Sequence, residues 1–184
     1  MYLTKFDRVT FIDIETTGID PSKNAIIEFA AISTTNNLKQ VICQTSFTIC
    51  PEKIEEVEFH PEAMKINKIS MEEIKSSMKA VEARQQIMPF FADKSLLIGH
   101  NFTFDLLFLN KFLGTDFSGN MIKPRIIDTA SLLLPLVIMG KLEKNSLHEA
   151  CKFFNISDLG QHRALNDVNI TIKVFKKLID FYKK

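Results

Sequence analysis

No tryptophan occurs in the 184 residues, so any core must be closed by the 16 phenylalanines and by aliphatic side chains. An excess of charge of one sign is also missing: 23 Lys and Arg against 22 Asp and Glu leave a formal net charge of +1. That balance excludes a surface that holds a polyanion by bulk electrostatics, so a polyanionic partner would have to be gripped locally. Cysteine is scarce. Cys43, Cys50 and Cys151 are odd in number and show no C-x-x-C spacing, which argues against a disulfide framework or a zinc cluster and for a reducing compartment. Their ordinary role is that of small buried hydrophobes. No stretch approaches the ~20 apolar residues that span a bilayer, and the opening residues Met1 to Arg8 lack the apolar segment of a signal peptide. Together these absences point to a cytoplasmic chain with no membrane partner. Repeats and low-complexity tracts are absent as well.

What is present is an ordinary globular composition, 46% hydrophobic and 24% charged, long enough for one domain over residues 1–184 with one core. The apolar run Val9-Thr10-Phe11-Ile12 leads into Asp13-Ile14-Glu15-Thr16-Thr17-Gly18 and predicts a strand ending in a turn. Asp20 to Asn24 is a turn cluster, Ala25 to Thr34 a second strand hairpin-paired to the first, and Val41 to Ile49 a third strand ending before Pro51. Glu28 lies inside the second strand without an acidic neighbour on its own strand face, which reads as a solvated or cross-strand partner rather than a metal ligand.

Residues 51–78 suggest short, charged helices joined by loops, with His60 at the surface. Val81, Ile87, Met88, Phe90 and Phe91 predict an amphipathic helix that stops near Ala92-Asp93. Ser95 to Gly99 is a short buried strand, and Asn101 to Phe112 is a helix with Phe104, Leu107, Phe108 and Phe112 inward. Residues Gly114 to Pro124 form a loop, and Arg125-Ile126-Ile127 a last short strand, with Asp128 or Thr129 capping the helix that follows. Ser146 caps a helix over Leu147 to Phe154, leaving His148 exposed. Arg163 to Tyr182 forms a long helix with Ala164, Val168, Ile172, Phe175, Leu178, Ile179 and Tyr182 inward.

Three stretches carry chemistry. In an extended strand Asp13 and Glu15 point to the same face, with Cα atoms about 6.5–7 Å apart, which suits a divalent cation. Two acids at an exposed strand end would look the same. Gly18 allows a turn that other residues resist, and the hydroxyls and amides of Thr16 and Thr17 are expected to face whatever the acids hold. In Gly99-His100-Asn101-Phe102-Thr103-Phe104-Asp105, the acid falls in the first turns of a helix that follows a buried strand. In His162-Arg163-Ala164-Leu165-Asn166-Asp167, a five-residue offset is about 500° on a helix, so His162 and Asp167 can meet only if His162 precedes the helix. Gly160 makes such a loop plausible.

On these residues the chain resembles the DEDDh 3′→5′ exonuclease family, which includes proofreading subunits of bacterial replicative polymerases. Asp13 and Glu15 match the family's first motif, Asp105 its second, and His162 with Asp167 its third, with the H-x-x-x-x-D spacing intact. The resemblance runs from about residue 8 to the end. It implies a ribonuclease H-like α/β fold, a mixed five-stranded sheet in which an antiparallel meander of three strands is joined by two more, flanked by helices. It further implies two divalent ions, Mg²⁺ or Mn²⁺, on Asp13, Glu15, Asp105 and Asp167. Such ions neutralise crowded carboxylates and clamp the attacking and leaving oxygens of a phosphodiester displacement.

By the same resemblance His162 is the general base, a role that suits an imidazole because its charge changes near neutral pH. The turn Thr16, Thr17 and Gly18 and the residues His100, Asn101 and Phe104 are implied to contact the terminal nucleotide. Phe102 and Phe104 are candidates to stack a base, in competition with core packing. The chain departs from the family at Ile66-Asn67-Lys68-Ile69, where His-Gly is frequent, and it ends at its last helix, without the extension that holds a polymerase. The expected activity is release of nucleoside 5′-monophosphates from a 3′ end, on single-stranded DNA or, as the alternative, on RNA. A non-catalytic nucleic-acid-binding module is the competing class, although such a module would be expected to have lost one of the acids. A homodimer is left open and polymerase association is unsupported.

Overall fold

The computed structural model describes residues 2–91, 94–114 and 125–183. The helix stop at Ala92-Asp93 and most of the loop from Gly114 to Pro124 therefore lie outside the described residues. In chain order the elements are β1 (Arg8–Thr16), β2 (Ile26–Thr35), β3 (Val41–Cys50), α1 (Pro61–Asn67), α2 (Met71–Ser76), β4 (Met78–Lys79), α3 (Ala80–Ile87), β5 (Ser95–Gly99), α4 (Phe102–Leu113), β6 (Arg125–Asp128), α5 (Thr129–Ile138), α6 (Leu147–Phe154) and α7 (Ala164–Tyr182).

The described strands form one mixed sheet in the order β4-β3-β2-β1-β5-β6. β1, β2 and β3 are the expected antiparallel meander, and β5 and β6 run parallel to β1. The sheet has six strands, not five. The extra one, β4, is two residues long and pairs in parallel with Ile49 and Cys50. Two residues cannot display an alternation, so the sequence carries no period to reveal it.

The alternation of β1 sets the layers. Thr10, Ile12, Ile14 and Thr16 face one side, where Ile12 and Ile14 join Phe29, Phe102 and Phe108 under α3 and α4. Val9 and Phe11 face the other side and pack with Ala164, Val168 and Phe175 of α7, the Phe11 and Phe175 rings meeting edge to face with centroids 5.8 Å apart. Asp13 and Glu15 follow Phe11 on that second face, so the two acids emerge beside α7 where the apolar packing stops. α5, α6 and the outer side of α7 close a third cluster around Leu133, Cys151 and Val174.

Capping follows the sequence. Asp128 accepts from the Ala130 amide at the start of α5, and Ser146 from the Glu149 amide at the start of α6. Several side chains turn differently from their expected faces. Val81, Leu107 and Tyr182 are 55%, 53% and 48% exposed. The stripes that bury α3 and α4 instead run through Ala80, Ala83 and Ile87 and through Phe102, Asp105, Phe108 and Leu109. Phe102 is fully buried, so it is a core residue and not a stacking platform. Asn101 lies outside α4, in the left-handed conformation before its first turn.

Replacing Phe11 by Ala should destabilise the chain by about 3–5 kcal/mol, whereas Leu107→Ala should change stability by less than about 1 kcal/mol. Urea unfolding of the two variants checks this, and the reverse order would contradict the face assignment.

Candidate active site

The site sits where β1 outruns its parallel neighbour. The β1–β5 ladder ends at the pair Phe11 and Ile98, and the amide of Ile14 beyond it donates to Asp105 Oδ1 of α4 at 3.1 Å. A backbone N–H in a buried position needs such a partner, so one oxygen of Asp105 is tied to β1. On the β2 side the register shifts between Glu15 and Thr16. Irregularities of this kind at sheet margins re-aim the chain.

Asp13 and Glu15 from β1 and Asp167 from the first turn of α7 converge. One carboxylate oxygen from each lies within 4.8 Å of the others. Asp167 is 9% exposed, and its Oδ1 is buried without a hydrogen-bond partner, while Oδ2 accepts from the His162 amide at 3.1 Å. His162 precedes α7, as its spacing from Asp167 requires, and stands in the left-handed conformation with φ 68°. Gly160 two residues earlier has φ 82°, so its conformation calls for glycine, and a Cβ there would displace the Asn166 amide group 2.5 Å away. Asp13, His100, His162 and Asp167 line one cleft of about 690 Å³, together with His148 and Asp158, whose side chains pair at 2.6 Å.

Clustering leaves its mark on the acids. Removal from water pushes Asp13 well above the usual carboxylate range, and the charges of Asp105, Asp167, Glu15 and Glu28 add to it. Glu15 is pushed up to about 8, first by burial and then by Asp167 and Glu28, with the nearby Arg163 acting in the opposite sense. Asp105 is raised by burial against its backbone hydrogen bonds, and Asp167 by burial against the amide and charge of His162. An oxygen-only donor set, an unpartnered buried carboxylate oxygen and acids held above their usual range together fit a hard divalent cation.

The other expected residues are placed as follows. The Thr16 hydroxyl donates to the Gly18 carbonyl at 2.6 Å. The Thr17 hydroxyl donates to the Glu58 carbonyl at 2.7 Å and its amide to the Ala25 carbonyl at 2.9 Å. Both threonine hydroxyls are thus engaged inside the protein rather than turned to the acids, because a buried hydroxyl must find a partner. Gly18 is needed for space and not for an unusual turn, since a Cβ there would lie 2.5 Å from Asn24 Oδ1. His100 Nδ1 lies 3.0 Å from the Thr129 hydroxyl, and burial lowers the pKa of its imidazole against the charge of Asp128. The Asn101 amide donates to Asp128 Oδ1 at 2.8 Å. Phe104 is half-buried, its ring 5.0 Å from that of Phe108.

Two contributors escaped the sequence reading. Asn67, at the segment that departs from the family pattern, is buried and donates to the Thr16 carbonyl at 3.2 Å, steadying the end of β1. Glu28 is 3% exposed and is the Cα partner of Glu15, so it does have an acidic neighbour on its face, on the adjacent strand. It is not solvated, and it pairs with Arg163 rather than with a cross-strand residue. The pairing register was the missing signal, because alternation orders faces within a strand but not across a hairpin.

Known proteins resemble this chain over most of its length. A family model described as "Exonuclease" matches residues 10–175. A DNA polymerase III PolC-type of Thermotoga petrophila is 28% identical, aligned over 100% of this chain but 13% of its own length. The DNA polymerase III subunit epsilon of Rickettsia typhi is 32% identical over 93% of this chain and 73% of its own. Among solved structures, Exonuclease I of E. coli in complex with a dT13 oligonucleotide shares the fold with a TM-score of 0.80, at 21% identity, over 95% of this chain and 43% of that one. The chain thus spans a small part of the PolC-type relative and less than half of Exonuclease I.

Because the folded acids hold protons that the unfolded chain releases, stability present below about pH 4.5 is lost as pH rises through the folded value, about 8 for Glu15. With a chelator present, the melting temperature should therefore fall from about pH 5 to about pH 8.5, and Glu15→Gln should remove part of the fall. Thermal melts of the parent chain and of Glu15→Gln check it, and a flat profile in the parent chain would contradict the assigned crowding.

Proposed function

We propose, from the premise that this chain belongs to the exonuclease family whose model spans residues 10–175, that it hydrolyses the terminal phosphodiester at the 3′ end of a nucleic acid. The products are a nucleoside 5′-monophosphate and a strand shortened by one residue with a free 3′ hydroxyl. The observation that carries this reading is the convergence of Asp13, Glu15 and Asp167, two of which, Asp13 and Asp167, line one cleft with His162. Asp105, fixed to the Ile14 amide and outside that group of three, is assigned as the fourth acid.

Asp13, Glu15, Asp105 and Asp167 would hold divalent ions. When bound, Mg²⁺ or Mn²⁺ supplies offset charge, a more acidic water and stabilisation of the leaving oxygen. His162 takes the proton from the attacking water, a role that its position ahead of α7 supports because the side chain is exposed to the cleft and tied to Asp167 only through its backbone. Gly18, His100, Asn101 and Phe104 flank the acids along the sequence motifs and are assigned to hold the terminal nucleotide. Thr16 and Thr17, whose hydroxyls are engaged internally, contribute by shaping the backbone of that turn.

Single-stranded DNA is the proposed substrate. The names of the polymerase relatives and the oligonucleotide bound to Exonuclease I support it, and RNA is the alternative. No helix among the described residues is long and apolar enough to cross a membrane; a cytoplasmic location is proposed on the names of the bacterial polymerase relatives.

A 5′-labelled single-stranded oligonucleotide incubated with the protein and Mn²⁺ should shorten from its 3′ end, and a chelator should stop it. Asp13→Ala and Asp167→Ala should abolish release, and His162→Ala should slow it by about 10²–10⁴-fold. Undiminished release by Asp13→Ala would contradict the metal assignment. Matched DNA and RNA strands should be degraded with DNA faster, and the opposite order would move the substrate to RNA.

A further inference from the structure

Glu28 is a further carboxylate beside the acids of β1 that the reaction does not use. Its Cα pairs with that of Glu15 across β1 and β2, so alternation puts both side chains on the face that α7 covers. Nothing in the strand geometry keeps it away from the metal-binding acids; Arg163 sets a guanidinium against it. The guanidinium donates from Nε to both oxygens at 3.1 and 3.2 Å and from Nη2 to Oε1 at 3.0 Å. The Ala164 amide, first of α7, donates to Oε2 at 2.9 Å, and Nη2 reaches on to Glu73 at 3.2 Å. Among the described residues, every hydrogen bond to the Glu28 carboxylate therefore comes from the two residues that follow His162.

The peptide of His162 is consequently held from both sides. Its own amide is fixed by Asp167 and the next two residues by Glu28. Between them it keeps a left-handed backbone, which L-residues avoid unless their surroundings impose it. Glu28 is buried while the Arg163 side chain is 44% exposed; taking a carboxylate out of water is costly and a half-exposed partner offsets little of that cost, so stability alone does not account for a buried carboxylate at this spot. Geometry does: a bidentate fork specifies orientation as a hydrophobic contact cannot.

We propose that Glu28 and Arg163 are a positioning pair, which sets His162 over the acids of β1 and α7 and sets a guanidinium against the charge that Glu28 brings to the metal-binding cluster. The proposal rests on the hydrolytic reading of the site. It makes two separable demands, one on geometry and one on charge. Removing Arg163 frees the loop and uncovers a carboxylate opposite Glu15. Removing the charge of Glu28 frees the loop and leaves a cation there. Removing both frees the loop at unchanged net charge.

The test uses the full chain and the variants Arg163→Met, Glu28→Gln and their double, each verified as folded by thermal melting. Three quantities are read: kcat and KM on a single-stranded oligonucleotide, Mn²⁺ affinity by calorimetry, and amide exchange of His162 and Ala164 in the metal-free protein. All three variants should lose at least about tenfold in kcat with KM within about twofold, because loss of position in an otherwise intact site acts on the chemical step. Mn²⁺ should bind at least about twofold tighter to Arg163→Met, at least about twofold weaker to Glu28→Gln, and close to the parent affinity in the double variant. The His162 and Ala164 amides should exchange faster in all three.

A merely structural pair would weaken metal binding and activity together in every variant, and that result would overturn the proposal. So would parent-like kcat with unchanged His162 exchange in Arg163→Met. Should the parent chain release no mononucleotide, the hydrolytic reading fails by itself, and the exchange and calorimetry still decide the pair: parent-like values in Arg163→Met would overturn it.

Discussion

Carboxylates that cannot all be charged at neutral pH without help are the constraint on which the rest of the structure depends. Asp13, Glu15 and Asp167 are brought within 4.8 Å, and burial and mutual repulsion push them and Asp105 above the usual carboxylate range. Such a cluster disfavours the folded state unless cations offset it. The fold tolerates it by placing it where strong packing on both faces of β1 has just ended. Phe11 and Phe175 close one face, and Ile14, Phe102 and Phe108 the other. A net charge of +1 over the whole chain then coexists with strongly negative local character, so a nucleic acid would be drawn to this site through bound cations and local contacts rather than by a basic surface.

The acids are also positioned by backbone devices that carry little sequence signal. Asp105 faces β1 because Ile14 has an amide to satisfy beyond the end of the β5 ladder. Asp167 faces it because α7 begins two residues after His162, whose amide it accepts. Asn67 steadies Thr16 from α1, and Asp128 joins the start of α5 to Asn101 before α4. Apart from the local contact of Asp167 with His162, each of these links an element's end to a backbone group distant in sequence, so the site is assembled by termination and capping more than by the elements themselves.

That explains which parts were legible in the sequence. The meander could be read because β1 to β3 alternate or run β-branched between turn residues, and α5 and α6 because Asp128 and Ser146 cap them. The three motifs could be read because local order suffices to place each acid at the end or start of an element. What was misread depended on pairing or long-range packing. β4 is too short to show a period. Glu28 met Glu15 through a register that a nine-residue connection and a shift at Glu15 and Thr16 leave undetermined in sequence. Thr17 turned inward because the Glu58 carbonyl arrives from a distant loop. Leu107 faces outward, and Phe102 takes the core place that competed with stacking, because which helical stripe is buried depends on how α4 docks on the sheet, not on apolarity alone.

The central claim is that the acids of β1 and α7 form a cation site at the heart of the exonuclease-family fold. It is tested most directly by the anomalous scattering of Mn²⁺ in crystals of the full chain. The account predicts a peak among the carboxylates of Asp13, Glu15 and Asp167, in reach of the Asp167 oxygen that has no protein partner. An empty cluster at saturating Mn²⁺, or ions bound only elsewhere on the chain, would contradict it.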